Sequence, residues 1–296
     1  MNSLNNLLLH PKTKKQTSYY LRKPVSPLLI LGERGSGKLG LAYSLAAAVL
    51  GLESSQKLAS YPYFLHAKKP DGKQDISIDT IREINRIMSL KTPGGSAIRR
   101  VVLVEDAQNL STEAQNAFLK LLEEPNDDTL FVLTAPSELS LLPTIVSRCQ
   151  HIWVHGVSLS QADKFYGGRF SSKKMESAWR LSQGNSKLLD NLLKDEDSHP
   201  LKDAIAQVKD FLRQTKYERL LTLDKVSKNK DEFKVFLEAL SKILAALHRS
   251  AIDKNRQKQA KTLISDRKLA LDSLKALENN SNARLLCLNL LLNLKN

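Results

Sequence analysis

The sequence is poor in cysteine and aromatic residues and has a shortage of negative charge. Its two cysteines, Cys149 and Cys287, form no CxxC pair and are too few for a disulfide framework, which favours a reducing compartment. Aromatic residues make up only 6% of the chain, so its core must be built mainly from leucine and alanine. There are 45 lysines and arginines against 31 acidic residues, a net charge of +14. This surplus is compatible with plain solubility or with contact to a polyanion.

The sequence also lacks an apolar run long enough to cross a bilayer. Near the N-terminus a short leucine-rich segment precedes the basic residues, which is the reverse of the order in a secretory signal peptide. We therefore expect a cytoplasmic protein without a membrane partner. At 296 residues the chain has room for two or three domains.

Short continuous apolar runs indicate a parallel sheet. Residues 27–31, 101–104 and 130–134 have the pattern of strands buried on both faces. The segment between the last two has apolar residues at helical spacing, begins with the N-cap types Ser111 and Thr112, and is predicted to end at Pro125. A strand, helix and strand in this order bring the ends of the strands to one edge, where α/β sheets bind ligands.

A phosphate-binding pattern, G-x-x-x-x-G-K, occupies residues 32–38. It lies between the first predicted strand and a predicted helix over residues 39–50, which is the context that gives this pattern its meaning. The glycines allow backbone N–H groups to surround an anion, and Lys38 reaches the terminal phosphates. The predicted nucleotide-binding residues of this loop are Gly32, Gly35, Ser36, Gly37, Lys38 and Leu39.

The same segment also spells the dinucleotide fingerprint G-x-G-x-x-G, at Gly35, Gly37 and Gly40. That fingerprint requires an acidic residue at the end of a second strand, roughly 20 residues further on. The candidate acid, Glu53, follows the first predicted helix directly, with no strand before it. The dinucleotide interpretation therefore fails.

The nucleotide motifs lack some of the groups that would bind a metal ion. Leu39 stands where a serine or threonine hydroxyl would hold Mg²⁺. The acidic pair after the second strand, Glu105 and Asp106, is the reverse of the usual order, which misplaces each carboxylate by about 1 Å and can cost ~100-fold in rate. We expect weak binding of ATP or ADP, little use of Mg²⁺, and weak or absent ATPase activity.

Arg148 follows a predicted helix and has two interpretations. An arginine at this position can close a helix C-terminus. It can also serve as an arginine finger toward a nucleotide held by a neighbouring subunit, where such a group contributes roughly 10³–10⁵ in rate.

Several motifs together resemble the bacterial clamp-loader AAA+ subunits of DNA polymerase III. They are residues 32–38, 76–83, 101–110, 116–125, the Ser147, Arg148 and Cys149 triplet, and residues 274–292. The resemblance implies an AAA+ P-loop parallel sheet with helices on both faces, a small helical lid and an all-α collar. The corresponding boundaries are residues 1–156, 157–200 and 201–296.

Within that family the chain is most like the delta-prime subunit. The family's ATPase subunit, tau/gamma, has four zinc-binding cysteines after the phosphate loop, but residues 51–99 contain no cysteine, so we expect no zinc. The resemblance implies that Arg148 acts in trans, with Glu105 and Asp106 as a degenerate acidic motif. It also implies a hetero-oligomeric ring with tau/gamma and delta, and a sliding clamp and primed DNA as partners.

The family's sensor positions are less well matched. The first sensor would fall on Thr134, Ala135 or Pro136, and the lid arginine that senses the γ-phosphate falls on Lys187, which keeps the charge without the bidentate fork. The pair His151 and His155 lacks further ligands, and no metal site is predicted. For DNA contact we expect the predicted helix N-termini near residues 79–82 and 111–113.

Two other functions are compatible with the motifs. The first is a catalytically active tau/gamma-like ATPase subunit of the same assembly. The second is a stand-alone DNA remodeller, such as a helicase loader or a Holliday-junction motor. Both require a working Mg²⁺ site, and the second also requires self-assembly of this chain.

Overall fold

The computed structural model describes residues 4, 6–73, 75–90, 92–123, 126–194 and 200–295. It divides into two compact units, Met1–Phe165 and Tyr166–Asn296. The first part of the chain forms α1 (Pro11–Arg22), β1 (Leu28–Leu31), α2 (Lys38–Val49), β2 (Phe64–Ala67), α3 (Ile78–Met88), β3 (Arg100–Val104), α4 (Thr112–Glu123), β4 (Thr129–Ala135), α5 (Pro143–Val146), β5 (Gln150–Trp153) and α6 (Leu159–Tyr166). The second part forms α7 (Ser172–Ser182), α8 (Ser186–Leu193), α9 (Pro200–Phe211), α10 (Lys216–Val226), α11 (Lys230–Asp253), α12 (Gln257–Glu278) and α13 (Ala283–Asn293).

The five strands form one sheet in the order β2-β3-β4-β1-β5, and all neighbours are parallel. Strands β1, β3 and β4 are fully buried, as their continuous apolar sequences predict. The predicted helix between β3 and β4 is α4; Pro125, its predicted end, lies outside the described residues. Strand β2 was not predicted from the sequence. It is an edge strand whose first three residues are only half-buried, so its sequence has no continuous apolar run.

Alternate strand residues face two separate helical layers. One face, which includes Leu29, Leu31, Val102 and Val104, packs against α3, α4 and α5. The other face, which includes Leu28, Ile30, Val101 and Leu103, packs against α1 and α2. The predicted fold class, an AAA+ P-loop parallel sheet with helices on both faces followed by a helical region, is confirmed.

The described residues of the second unit form helices joined by turns and loops, with no strand among them. Its core is one apolar cluster built from α8 to α13, which includes the buried rings of Phe211, Phe233 and Phe236. The Phe211 and Phe236 rings meet edge to face with their centroids 5.2 Å apart. The predicted separation of a lid from a collar near residue 200 stays a prediction, and residues 195–199 lie outside the described part of the chain.

None of the helices in the described ranges is long and apolar enough to cross a membrane.

Candidate functional site

The ends of β1, β3 and β4 bring the predicted nucleotide motifs to one edge of the sheet. Strand β4 lies between β1 and β3, and Ile30 pairs with Thr134 in the β1–β4 register. The phosphate loop follows β1, while Glu105 and Asp106 follow β3. Three elements that are distant in sequence therefore converge where open α/β sheets bind ligands.

Three glycines of the phosphate loop each have a steric reason for lacking a side chain. Gly35 and Gly37 have φ angles of +83° and +89°, in the left-handed region that favours glycine. A Cβ on Gly32 would lie 2.6 Å from Ser36 Oγ and 3.1 Å from Val154 Cβ, so a side chain there would force these neighbours to shift. The loop thus keeps the glycines that a phosphate cradle requires.

The third glycine of the rejected dinucleotide fingerprint has no such role. A Cβ on Gly40 would meet only Leu7 Cδ2, at an ordinary 3.9 Å. Glu53, the candidate acid, pairs with Lys57 on the surface and ends no strand. Both observations agree with the phosphate-loop interpretation.

We expect Gly37→Ala and Gly40→Ala to change stability in opposite directions. Alanine at Gly37 must adopt a left-handed conformation, which costs about 1–2 kcal/mol. Alanine at Gly40, inside α2, should stabilise the helix by up to about 1 kcal/mol because it restricts the unfolded chain. Urea denaturation of the two variants measures the difference. A destabilised Gly40→Ala variant would contradict the open space beside that residue.

Lys38, the loop lysine, is paired with the second acid of the motif. Its Nζ lies 3.0 Å from Asp106 Oδ1, and the Lys38 side chain is only 12% exposed. Asp106 itself has a left-handed backbone, with φ +48°, and its N–H donates to Thr134 Oγ1 at 2.8 Å. Of the three residues predicted for the first sensor, Thr134 is therefore the one that contacts the acidic motif.

Glu105, the first acid, is held by a histidine that the sequence did not single out. Glu105 Oε2 lies 2.9 Å from His66 Nε2, and His66 Nδ1 lies 3.2 Å from the Tyr43 hydroxyl on α2. Burial, reinforced by the nearby charge of Glu105, raises the pKa of Tyr43. The Glu105 carboxylate is thus hydrogen-bonded to His66 on β2, which in turn contacts Tyr43 on α2. No sequence signal identifies His66, because a histidine on an edge strand has many ordinary roles.

Leu39, the residue after Lys38, contributes no metal ligand to the site. It packs partly buried against the apolar layer formed by α1 and α2. The loop and Lys38 can receive a polyphosphate, but the residue after Lys38 offers no oxygen and Glu105 is already hydrogen-bonded. The donor set therefore fits phosphate better than it fits a phosphate-bound Mg²⁺.

Arg148 lies in the short connection between α5 and β5. Its Nη1 donates to the Thr144 carbonyl at 2.9 Å, and its Nη2 donates to Glu123 Oε1 at 2.7 Å. The first bond is the helix-closing contact predicted as one alternative. The Arg148 side chain is nevertheless 37% exposed, and these bonds use two of the five guanidinium N–H donors. Burial raises the pKa of the neighbouring Cys149 thiol to about 12, so this thiol is structural.

The two segments predicted to meet DNA lie side by side. A parallel bridge pairs Ile76 with Leu110: the Ile76 N–H donates to Asn109 O at 2.7 Å and the Ser111 N–H to Ile76 O at 3.1 Å. The starts of α3 and α4 are therefore held together, with Asp79 and Arg82 ion-paired at 2.9 Å on the first of them. The DNA role of these segments stays a prediction.

The remaining predicted site residues lie elsewhere. Lys187 lies in the first turn of α8, in the second unit, and its sensor role stays a prediction. His151 contacts Glu138 and the Val146 carbonyl, while the His155 ring lies 5.5 Å from that of His10. In the part of the chain that the structure describes, no group of three or more His, Cys, Asp or Glu side chains could hold a metal ion.

Helix α13 exposes an apolar stripe formed by Leu285, Leu288 and Leu292. These leucines are 65%, 47% and 76% exposed, while Cys287 and Leu290 on the same helix are buried. Residues 285–294 are apolar nearly all round, a pattern that predicts burial either within a bundle or against a partner. The structure buries only one side of this helix within the unit.

The sheet order and the phosphate loop define a P-loop domain of the AAA+ type, and comparison with known proteins shows what this domain is similar to. Residues 13–157, just under half of the chain, match the family described as DNA polymerase III, delta subunit. The DNA polymerase III subunit delta' of Haemophilus influenzae is 34% identical over 138 residues, 43% of this chain and 41% of that protein. A replication factor C small subunit of Methanococcus maripaludis is 29% identical over 140 residues, 47% and 42% of the two chains.

Among solved structures, a DNA polymerase III gamma subunit-related protein from Thermotoga maritima aligns with 95% of this chain and 97% of that chain, at 20% identity and a TM-score of 0.49. The chain spans about two fifths of the length of the delta-prime relatives that it matches. Over residues 13–157 the predicted resemblance is confirmed: this region is similar to DNA polymerase III delta' subunits.

Proposed function

We propose that this chain is a delta-prime-like subunit of a DNA polymerase III clamp loader, which helps to load a sliding clamp on primed DNA. In this proposal the chain hydrolyses little or no ATP itself and supplies Arg148 to the nucleotide site of a neighbouring subunit. The similarity of residues 13–157 to delta-prime subunits supports the assembly. The missing metal ligand of the phosphate loop supports the proposal that ATPase activity is weak or absent.

One observation carries the catalytic part of the proposal. The loop keeps its glycines and Lys38, yet Leu39 replaces the metal-binding hydroxyl, and Glu105 is bonded to His66 instead of being available for metal-bound water. A working site needs all these oxygens in place at once, because positioning and charge stabilisation supply nearly all of the rate in phosphoryl transfer. Such a loop can bind the phosphate groups of a nucleotide without hydrolysing it.

The purified full chain tests this directly. We expect ATP turnover at the background rate, with nucleotide binding by the loop weakened further in Lys38→Ala. The matched variant Leu39→Thr should strengthen Mg²⁺-dependent nucleotide binding, since it restores one ligand, while leaving turnover low because Glu105 remains engaged.

Turnover by the unmodified chain would defeat the proposal and favour the tau/gamma-like ATPase. A stable ring of this chain alone, measured by its mass in solution, would favour a stand-alone remodeller. Co-purification with tau/gamma and delta subunits, without self-assembly, is the result that we expect.

A further inference from the structure

We propose that the exposed face of α1 binds single-stranded nucleic acid, through its phosphates and through one base stacked on Tyr19. This basic stripe consists of Lys12, Lys15, Tyr19 and Arg22. The proposal does not rest on the clamp-loader function, because it concerns a surface on the opposite side of the sheet from α4 and α5, defined by its own charges.

Helical spacing places the four side chains on one face. They recur at intervals of three and four residues along α1, a stripe about 15 Å long at 1.5 Å per residue. The other face is buried against the domain: Thr13, Thr17 and Tyr20 are at most 2% exposed. The stripe lines a groove of about 800 Å³ together with His155.

The helix is fixed in place by hydrogen bonds to strand β5 and its flank. The Thr13 hydroxyl donates to the Trp153 carbonyl at 2.7 Å, and the His155 N–H donates to Thr13 Oγ1 at 3.0 Å. Gln16 Oε1 accepts from the Trp153 N–H at 3.2 Å. The stripe is thus a preformed platform whose backbone need not become ordered on binding.

The charges of the stripe are not balanced locally. No acidic residue occurs in residues 1–32 of the sequence. Among the described residues, no carboxylate pairs with Lys12, Lys15 or Arg22, whereas several surface cations elsewhere are paired. Examples of such pairs are Arg82–Asp79, Arg86–Glu83, Lys194–Asp190 and Lys234–Glu278.

The position of the lysines also opposes helix stability. Lys12 and Lys15 lie near the N-terminus of α1, whose first turn contains no acidic residue, so they add to the positive end of the helix dipole. The positive field reaches His10, the N-cap residue: burial, then His155 and Lys12, lower its pKa. An anionic ligand would relieve this accumulation of positive charge.

Tyr19 indicates which anion fits. Its side chain is 72% exposed in the middle of the stripe. Single strands expose base faces that stack on aromatic rings, whereas a duplex hides them and an acidic peptide has none. A membrane surface is disfavoured because, apart from Tyr19, the exposed face of α1 offers no large apolar side chain to insert.

Fluorescence anisotropy of the full chain with a labelled oligo(dT) of about 16 nucleotides tests the proposal. We expect Lys12→Gln/Lys15→Gln to lower the salt dependence, the slope of log K against log salt, by about 1.4, since each phosphate contact contributes ~0.7 for single strands. Tyr19→Ala should weaken binding by roughly tenfold, and Tyr19→Phe should keep it. The matched charge control is Lys258→Gln/Lys261→Gln on α12, which should bind like the unmodified chain.

Three results would overturn the proposal. The first is an equal loss in the α12 control, which would mean that only net charge matters. The second is unchanged binding by Tyr19→Ala. The third is equal competition by polyglutamate or by blunt duplex, which would assign the stripe to an acidic protein or to double-stranded DNA. Melting curves guard against misfolding, and the double glutamine variant should melt no lower than the unmodified chain because it removes charges that oppose the helix dipole.

Discussion

In the proposed clamp loader, replacing Arg148 with alanine is expected to lower the ATPase rate by about 10³-fold or more at the neighbouring site that Arg148 is proposed to complete, with assembly intact. The reason is that a guanidinium placed beside the transferred phosphoryl group stabilises charge that develops only in the transition state. Arg148 has the required access, with its side chain 37% exposed. Single-turnover ATP hydrolysis by complexes containing either version of this chain measures the effect.

The intramolecular bonds of Arg148 do not conflict with a role in trans. Its ion pair with Glu123 is solvent-exposed on both sides, and such pairs contribute roughly 0–1 kcal/mol. Together with the Thr144 carbonyl, Glu123 fixes the direction of the guanidinium before a neighbour arrives. Releasing this tether costs far less than the roughly 4–7 kcal/mol that correspond to a 10³–10⁵ change in rate.

Two matched variants separate charge from geometry. Arg148→Lys keeps the positive charge but loses the bidentate fork, so we expect it to restore only a small part of the activity. Glu123→Gln leaves Arg148 present and loosens its tether, so we expect a change of only a few-fold. An Arg148→Ala complex with normal hydrolysis would mean that the guanidinium only closes its own helix, through the Thr144 carbonyl.

The sequence was sufficient to predict the parts of the fold that have a simple local pattern. The continuous apolar run of β3 and the glycines before α2 have one physical interpretation each, so the sheet edge and the phosphate loop could be predicted. The start of helix α1, at Pro11, was not predicted from the sequence. The missed signal was local: a proline in the first turn after His10, whose ring nitrogen caps the Lys12 N–H at 3.2 Å.

The partners of the site side chains could not be predicted in the same way. Glu105 and His66 are 39 residues apart, and Arg148 and Glu123 are 25 residues apart. Periodicity tells which face of an element a residue occupies, but not which distant side chain it meets. The sequence therefore identified the degenerate acidic motif, while the structure was needed to find the histidine that holds it.

The second large effect is expected at the exposed stripe of α13. Exchanging Leu285 and Leu292 for alanine should weaken association with the proposed clamp-loader partners by about 10²–10³-fold, since each exchange removes about 2 kcal/mol of binding free energy from apolar surface that a partner would bury. The stripe is continuous along one side of the helix, and its leucines are too exposed to stabilise the isolated unit. Co-purification and sedimentation of mixed subunits measure the loss.

The control for this experiment is the same substitution at an exposed leucine in the other unit. Leu90, 63% exposed, follows α3, and Leu90→Ala should assemble normally. The melting temperature of the isolated Leu285→Ala/Leu292→Ala chain should be unchanged, because Cys287 and Leu290, on the inner side of α13, are untouched. If the double variant assembles like the unmodified chain, α13 does not contribute the subunit interface, and the helical unit is a self-contained bundle.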